Sequence, residues 1–388
     1  MKFSNIPAFC CKLSILTAFI LVHEAVLPSP AFAKYVQTNF VSDIPNLAAN
    51  TDPNLVNPWG IAFSPTSPFW ISDNRSGLST LYNGAGQASP LVVTIPPPVG
   101  GLPPAAPTGV VFNGSSNFAL TPGNPARFIF STENGTISGW SPSVAPTNAI
   151  LKVDNSGAGA VYKGLTMGTA ASGPMLYAAN FKAGAVEVFD GNFSPVSLPG
   201  AFSDPSLPAG YAPFNIQNIG GALYVTFALQ DAAKQDDVAG PGNGIIDIFD
   251  GNGTLVRRVA SGGALNSPWG LALAPSDFGD FSNDLLIGNF GDGRINAFDP
   301  VTDAFLGSLT DPSGNPITIA GLWGLTFGNG GLGGDKNSLY FTAGIPGNGQ
   351  VEDHGLFGRL SSVPEPRPIW LMAGFLLLFL RRNAFHSE

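Results

Sequence analysis

Catalysis needs nucleophiles, bases or metal ligands, and this chain is short of the imidazoles and thiols that most often serve. Its 388 residues include three histidines and two cysteines. His23 and His386 fall near the ends, as do Cys10 and Cys11, so His354 is the one imidazole of the middle region. A lone histidine closing the loop 347–354 reads as a solvated side chain, and no Ser–His–Asp or Cys–His arrangement can be assembled around it. There is no Gly-x-Ser-x-Gly elbow, no His-Glu-x-x-His pair and no phosphate-binding loop. The glycine-dense run 328–334 does not lead from a strand into a helix, and reads as a flexible hairpin.

Six phrases recur along the middle. They are Pro-Trp-Gly-Ile-Ala-Phe at 58–63, Pro-Thr-Gly-Val-Val-Phe at 107–112 and Tyr-Lys-Gly-Leu-Thr-Met at 162–167. They continue as Phe-Asn-Ile-Gln at 214–217, Pro-Trp-Gly-Leu-Ala-Leu at 268–273 and Leu-Trp-Gly-Leu-Thr-Phe at 322–327. Trp59, Thr108, Lys163, Asn215, Trp269 and Trp323 are taken as equivalent positions. Only Asn215 among them is a hard-cation ligand type. Only Lys163 could exchange a proton, and its Tyr-Lys-Gly context gives no sign of the desolvation a lysine base needs.

Trp59, Trp269 and Trp323 would form an aromatic platform if they faced one opening, and packing between neighbouring repeats is the plainer reading. Other oxygen ligands stand at expected strand ends, at Asp73-Asn74, Glu133-Asn134, Asn180 and Asn289, where the same residue types cap turns. No cofactor is firmly implied; Ca²⁺ is the ion such oxygens would take, and any metal remains unassigned. The segment 231–242 (DAAKQDDVAGPG) carries Asp231, Asp236 and Asp237 on a long loop. Such a loop would order around a cation, pack over an opening, or lie in solvent.

These residues need a scaffold, and the phrases supply its period. Counted on the glycine of each phrase, with Asn215 marking the fourth, the spacings are 49, 55, 51, 55 and 54 residues. Repeats of that length mean propellers or solenoids. Within each unit, short apolar runs alternate with Gly, Asn and Asp turns, and no window shows a sustained helical stripe. The fifth unit reads as strands at 269–274, 284–289, 294–298 and 304–309. Six such units predict an all-β chain, a six-bladed β-propeller with four-stranded blades. The sixth lacks an outer strand, and the alternating segment 35–41 (YVQTNFV) is expected to supply it and close the ring. The Pro-rich stretches 96–107 and 199–213 read as surface connections between blades.

The Pro-x-Gly-aliphatic phrase resembles the opening of blades in NHL-type and gluconolactonase-like six-bladed propellers. Over 35–363, and most of all at 230–250, the chain is similar to an uncharacterised bacterial family of exported propellers. That resemblance implies a fold and carries no established activity. In the gluconolactonase-like enzymes, carboxylates and Asn on loops about the axis hold a catalytic metal. The blade-opening positions here offer only Asn215, which argues against a lactonase-type site.

The two ends read as addresses. Residues 1–33 carry Lys2 and Lys12, the apolar run 13–22 and a small-x-small site at Ala31-Phe32-Ala33, the layout of a secretory signal peptide. Residues 364–388 carry Pro364, Glu365 and Pro366, then the apolar run 369–380, then Arg381 and Arg382. That order resembles the PEP-type C-terminal sorting signal of Gram-negative bacteria, which an inner-membrane exosortase recognises. It implies Sec-dependent export, transient anchoring in the inner membrane, and release to the cell surface or medium. The region between, 34–363, holds 12 Lys and Arg against 23 Asp and Glu, a charge of −11. An acidic chain of that kind has no basic footprint for nucleic acid. The role expected is non-catalytic binding or structure in the envelope or exopolysaccharide matrix, with exopolysaccharide or surface proteins as partners. An enzyme acting on a lactone or carbohydrate is the alternative, and carboxylates converging on the axis would favour it.

Overall fold

The computed structural model describes residues 34–347 and 351–363, together with Met1. Both end segments, with Pro364, Glu365, Pro366, Arg381 and Arg382, lie outside the described residues. Six β-sheets form the blades of a propeller. Blade five comprises Pro268–Leu273, Leu285–Asn289, Ile295–Phe298 and Phe305–Ser308, each within a residue or so of its expected bounds. Among the described residues, helical structure amounts to two short 3₁₀ turns, Ser156–Ala158 and Gly279–Phe281. The Pro-rich stretch 199–213 is shorter as a connection than expected, because the inner strand Tyr211–Ile219 begins inside it.

Blade six closes as the alternation at 35–41 predicts. Its strands Leu322–Phe327, Leu339–Ile345 and His354–Val363 are completed by Lys34–Ser42, which runs antiparallel to the third with Lys34 opposite Val363. A two-residue strand, Asn50–Thr51, adds a fifth at the rim. Tyr35 is fully buried in this closing strand and donates its hydroxyl to the Phe278 carbonyl of blade five at 2.9 Å. The closing strand therefore ties two blades together.

The cores lie between blades, where the apolar face of one sheet meets the next. Between blades five and six, Leu286 and Ile295 pack with Leu322 and Phe341, all completely buried. At the axis the inner strands approach more closely than side chains allow. A Cβ on Gly60 would stand 2.5 Å from the Thr108 carbonyl oxygen, and one on Gly270 would stand 2.5 Å from that of Trp323. The recurrent glycine of the phrase is thus a spacing requirement of the ring.

Candidate functional site at the axial mouth

Each inner strand carries an irregularity at its opening phrase. Pairing runs Tyr162↔Asn180 then Gly164↔Ala179, Pro213↔Phe227 then Asn215↔Thr226, and Pro268↔Asn289 then Gly270↔Gly288. The residue skipped in each is Lys163, Phe214 and Trp269. A bulge re-aims its extra residue, and here it directs one side chain per blade toward the axis. This corrects the expected equivalence. Phe214, not Asn215, matches Lys163 and Trp269, while Asn215 occupies the glycine position. Asn215 is buried and donates its side-chain amide to the Trp269 carbonyl at 2.7 Å, tying blade four to blade five. It is an inter-blade staple.

The three tryptophans do converge. Trp59 and Trp323 stack with centroids 3.5 Å apart, and Trp269 stands edge-on to them at 6.1 and 5.6 Å. Phe214 and Phe181 complete the cluster. All three indoles are at most 4% exposed, so they plug the axis and present no platform to solvent. Their Nε1 atoms have no hydrogen-bond partner among the described residues. Thr108, at the blade-two position, donates its hydroxyl to the Tyr162 carbonyl at 2.8 Å and serves as another inter-blade tie.

Above the indoles lies a charged layer. Lys163 is 1% exposed, with its ammonium 4.9 Å from the centroid of Trp59 and 5.9 Å from that of Phe181. It pairs with Glu133 of blade two and with Asp236 of blade four at 3.2 Å. Burial alone would lower its pKa, but the two carboxylates outweigh that and hold the ammonium above its usual range. The burial of Lys163 went unforeseen, because it comes from neighbouring blades and not from Tyr162 or Gly164.

Loops between the second and third strands bring most of the remaining groups, and the connection leading into blade one brings Asn57. Asn74 donates to Glu133 at 2.9 Å, and Asn57 donates to Glu352 at 3.1 Å. Burial pushes the Glu352 carboxyl up to about 7, with Asn57 and Lys163 opposing and Glu133 and Asp236 adding to the rise. Burial also raises Asp237, against Ser267 and Lys163, and its Oδ2 is buried without a hydrogen-bond partner among the described residues. The loop 231–242 is organised from within. Asp231 accepts from the backbone N–H of Gln235 at 2.8 Å, which holds its carboxyl below the usual range. Asp231 therefore shapes the loop, while Asp236 and Asp237 reach the mouth.

Carboxylates thus meet at the axis, contrary to what the blade-opening positions offer. They come from the ends of second strands and the loops that follow, in blades two, four and six, with no shared spacing to reveal them. Of the oxygen ligands at strand ends, Glu133 and Asn74 join the mouth. Asn180 instead donates to Glu187 at 2.7 Å, and Asn289 to the Ala264 carbonyl at 2.8 Å. Among the described residues, no group of three or more His, Cys, Asp or Glu is arranged to hold a metal ion. Lys163 stands where a cation would bind. His354 opens a strand instead of lying in the loop; its Nδ1 is 2.6 Å from Asp43, while its side chain stays 37% exposed.

No family model matches the chain. "Uncharacterized protein R648" of Acanthamoeba polyphaga mimivirus is 36% identical over 351 residues, covering 88% of this chain and 83% of the relative. "Uncharacterized protein L690" of the same virus is 34% identical over 307 residues, covering 77% and 80%. A streptogramin B lyase structure superposes with a TM-score of 0.50 at 11% identity, over 86% of this chain and 98% of its own. A protein of unknown function from Bacteroides thetaiotaomicron VPI-5482 gives 0.53 at 9%, over 84% and 77%. Identities this low show the fold alone. The viral relatives correct the expectation of a family confined to bacteria. At their identity and coverage, this chain belongs to the family of these mimivirus proteins.

Proposed function

We propose that the chain is an exported propeller with a non-catalytic binding or structural role in the cell envelope or exopolysaccharide matrix. The observation that carries the non-catalytic part is the filled mouth. Packed indoles and an ion-paired lysine occupy the position a substrate would have to reach. An indole cannot activate water, and a lysine held above its usual range is a poor base. Export rests on the order of parts at the two ends, and so do Sec passage, exosortase processing and transient inner-membrane anchoring. The test is a lactone and glycoside hydrolysis screen with and without Ca²⁺, Zn²⁺ and Mn²⁺, beside co-sedimentation with exopolysaccharide. Retention without turnover is expected. Metal-dependent turnover that survives purification overturns the reading.

A second reading has its own observation. Glu352, pushed up to about 7 beside Glu133 and Asp236, has the proton affinity of a general acid–base group. A hydrolase of lactones or carbohydrates would use it there, and Glu352→Gln would then abolish turnover.

A further inference from the structure

The axis is open at the end opposite the charged layer. The inner strands run away from Lys163 and the indoles. Thr166 and Met167 lie three and four residues farther on, about 10 Å at ~3.3 Å per residue. There a cavity of ≈ 320 Å³ is lined by the far halves of inner strands from blades one, two, three, four and six. It continues inward as a water-sized space of ≈ 20 Å³ that ends at Trp269. Gln217 lines both spaces.

The lining contains no ionisable side chain. Asn218 is held in place, donating to the Met167 carbonyl at 2.8 Å and accepting from Gly221 N–H at 2.9 Å. Gln217 is half-buried, and its carboxamide makes no hydrogen bond among the described residues. The rest of the lining includes Thr166, whose hydroxyl accepts from the Asn218 N–H at 3.2 Å, and the half-buried Phe63 and Phe112, which pack against the cores between blades. An amide with free donors and acceptors beside an apolar lining of Ile61, Val110 and Leu165 suits a sugar ring, which offers hydroxyls at its edge and C–H groups on its faces. The volume falls at the small end of the range for ligand pockets.

We infer that this far-end cavity binds a neutral mono- or disaccharide, with Gln217 as its hydrogen-bonding residue. The inference deepens the binding role proposed above and rests on it for the absence of turnover. The full chain is titrated by calorimetry with glucose, galactose, cellobiose and maltose, and with glucuronate as the charged comparison. Binding of a neutral sugar is expected, weakened at least tenfold by Gln217→Ala and unchanged by Gly157→Ala, a surface position with nothing within 4 Å of an added Cβ. Glucuronate should bind at least tenfold more weakly. Failure of all four neutral sugars overturns the inference. Binding that Gln217→Ala leaves intact overturns this location but leaves the binding role standing. Hydrolysis of the bound sugar, lost with Gln217→Ala, overturns the non-catalytic role and keeps the location.

Discussion

Asn57 donates its side-chain amide to Glu352 at 3.1 Å across the seam where blade one meets blade six. The same amide also reaches Asn74 Oδ1 at 3.3 Å, and Asn74 in turn donates to Glu133. A single polar chain therefore runs from the ring closure to the ion pair of Lys163.

Glu352 should make stability depend on pH. Its folded pKa of about 7 lies above the 4.5 of a free glutamate, so the folded state binds the proton more tightly. The stabilisation is complete below pH 4.5 and is lost as pH rises through 7. Glu352→Gln should remove this dependence, raising stability above pH 7 by on the order of 1–3 kcal/mol and matching the wild type near pH 4.5. Urea unfolding at pH 4.5, 6 and 8 measures it. A constant difference across the three would reject the shift.

Lys163→Met should be strongly destabilising. It leaves Glu133 facing Asp236 at a partly buried site without its counter-ion, and breaking such a pair costs roughly 3–5 kcal/mol. Adding Glu133→Gln should recover at least half of that loss, because the uncompensated charge causes most of it. Equal stabilities for the single and double variants would show that the lysine serves only as packing.

The scaffold was legible because it repeats. Six phrases at a near-constant spacing give the blade count, and turn residues give the hairpins of blade five to within a residue or so. The closing strand could be read because 35–41 alternates and no other blade claims it. The mouth was half legible. Trp59, Trp269 and Trp323 do meet, because equivalent positions in a closed ring share an axis. Whether they face solvent depends on the bulge, which no residue type announces. The mismatch of Asn215 with Phe214 has the same origin, since the fourth phrase lacks its glycine. Glu352 and Asp237 left no periodic trace, because loops of unequal length deliver them. The signal for Glu352 that could have been followed is local, an acidic residue in a loop leading into the last strand.

Removal of residues 34–42 should open the ring. The deletion uncovers the edge of His354–Val363 and takes away buried Tyr35, Phe40 and Val41. Full burial of such side chains is worth roughly 1.5–3 kcal/mol each. Thermal melting of the truncated chain should show a midpoint lower by about 10 °C or more, at ~2–4 °C per kcal/mol for a large domain. An unchanged midpoint would mean that the closing strand carries little stability.

The sorting part of the proposed export is tested in the C-terminal segment. Replacing Glu365, or Arg381 with Arg382, should leave a larger, membrane-retained species in cell fractionation. Arrival in the medium at normal size would remove the sorting signal from the proposed role.

The ring of inner strands makes the sharpest demand on sequence, and it can be probed with a single methyl group. At Gly60 a Cβ would lie 2.5 Å from the Thr108 carbonyl oxygen and 2.8 Å from the Val110 amide nitrogen, both backbone atoms of blade two. Neither can yield without moving the whole inner strand, which is fixed on its other side by blade three through Thr108 and Tyr162. Over-packing of this kind costs about 1–3 kcal/mol, and more where only backbone can shift. Gly157 supplies the comparison, because nothing stands within 4 Å of a Cβ there and its φ is not positive. Gly157→Ala should fall within about 0.5 kcal/mol of the wild type, like other surface substitutions. Gly60→Ala should be less stable by at least ~2 kcal/mol, and its midpoint lower by roughly 4–8 °C. Equal melting of the two variants would mean that the inner strands have room to spread, and the spacing role assigned to the recurrent glycine would then fail.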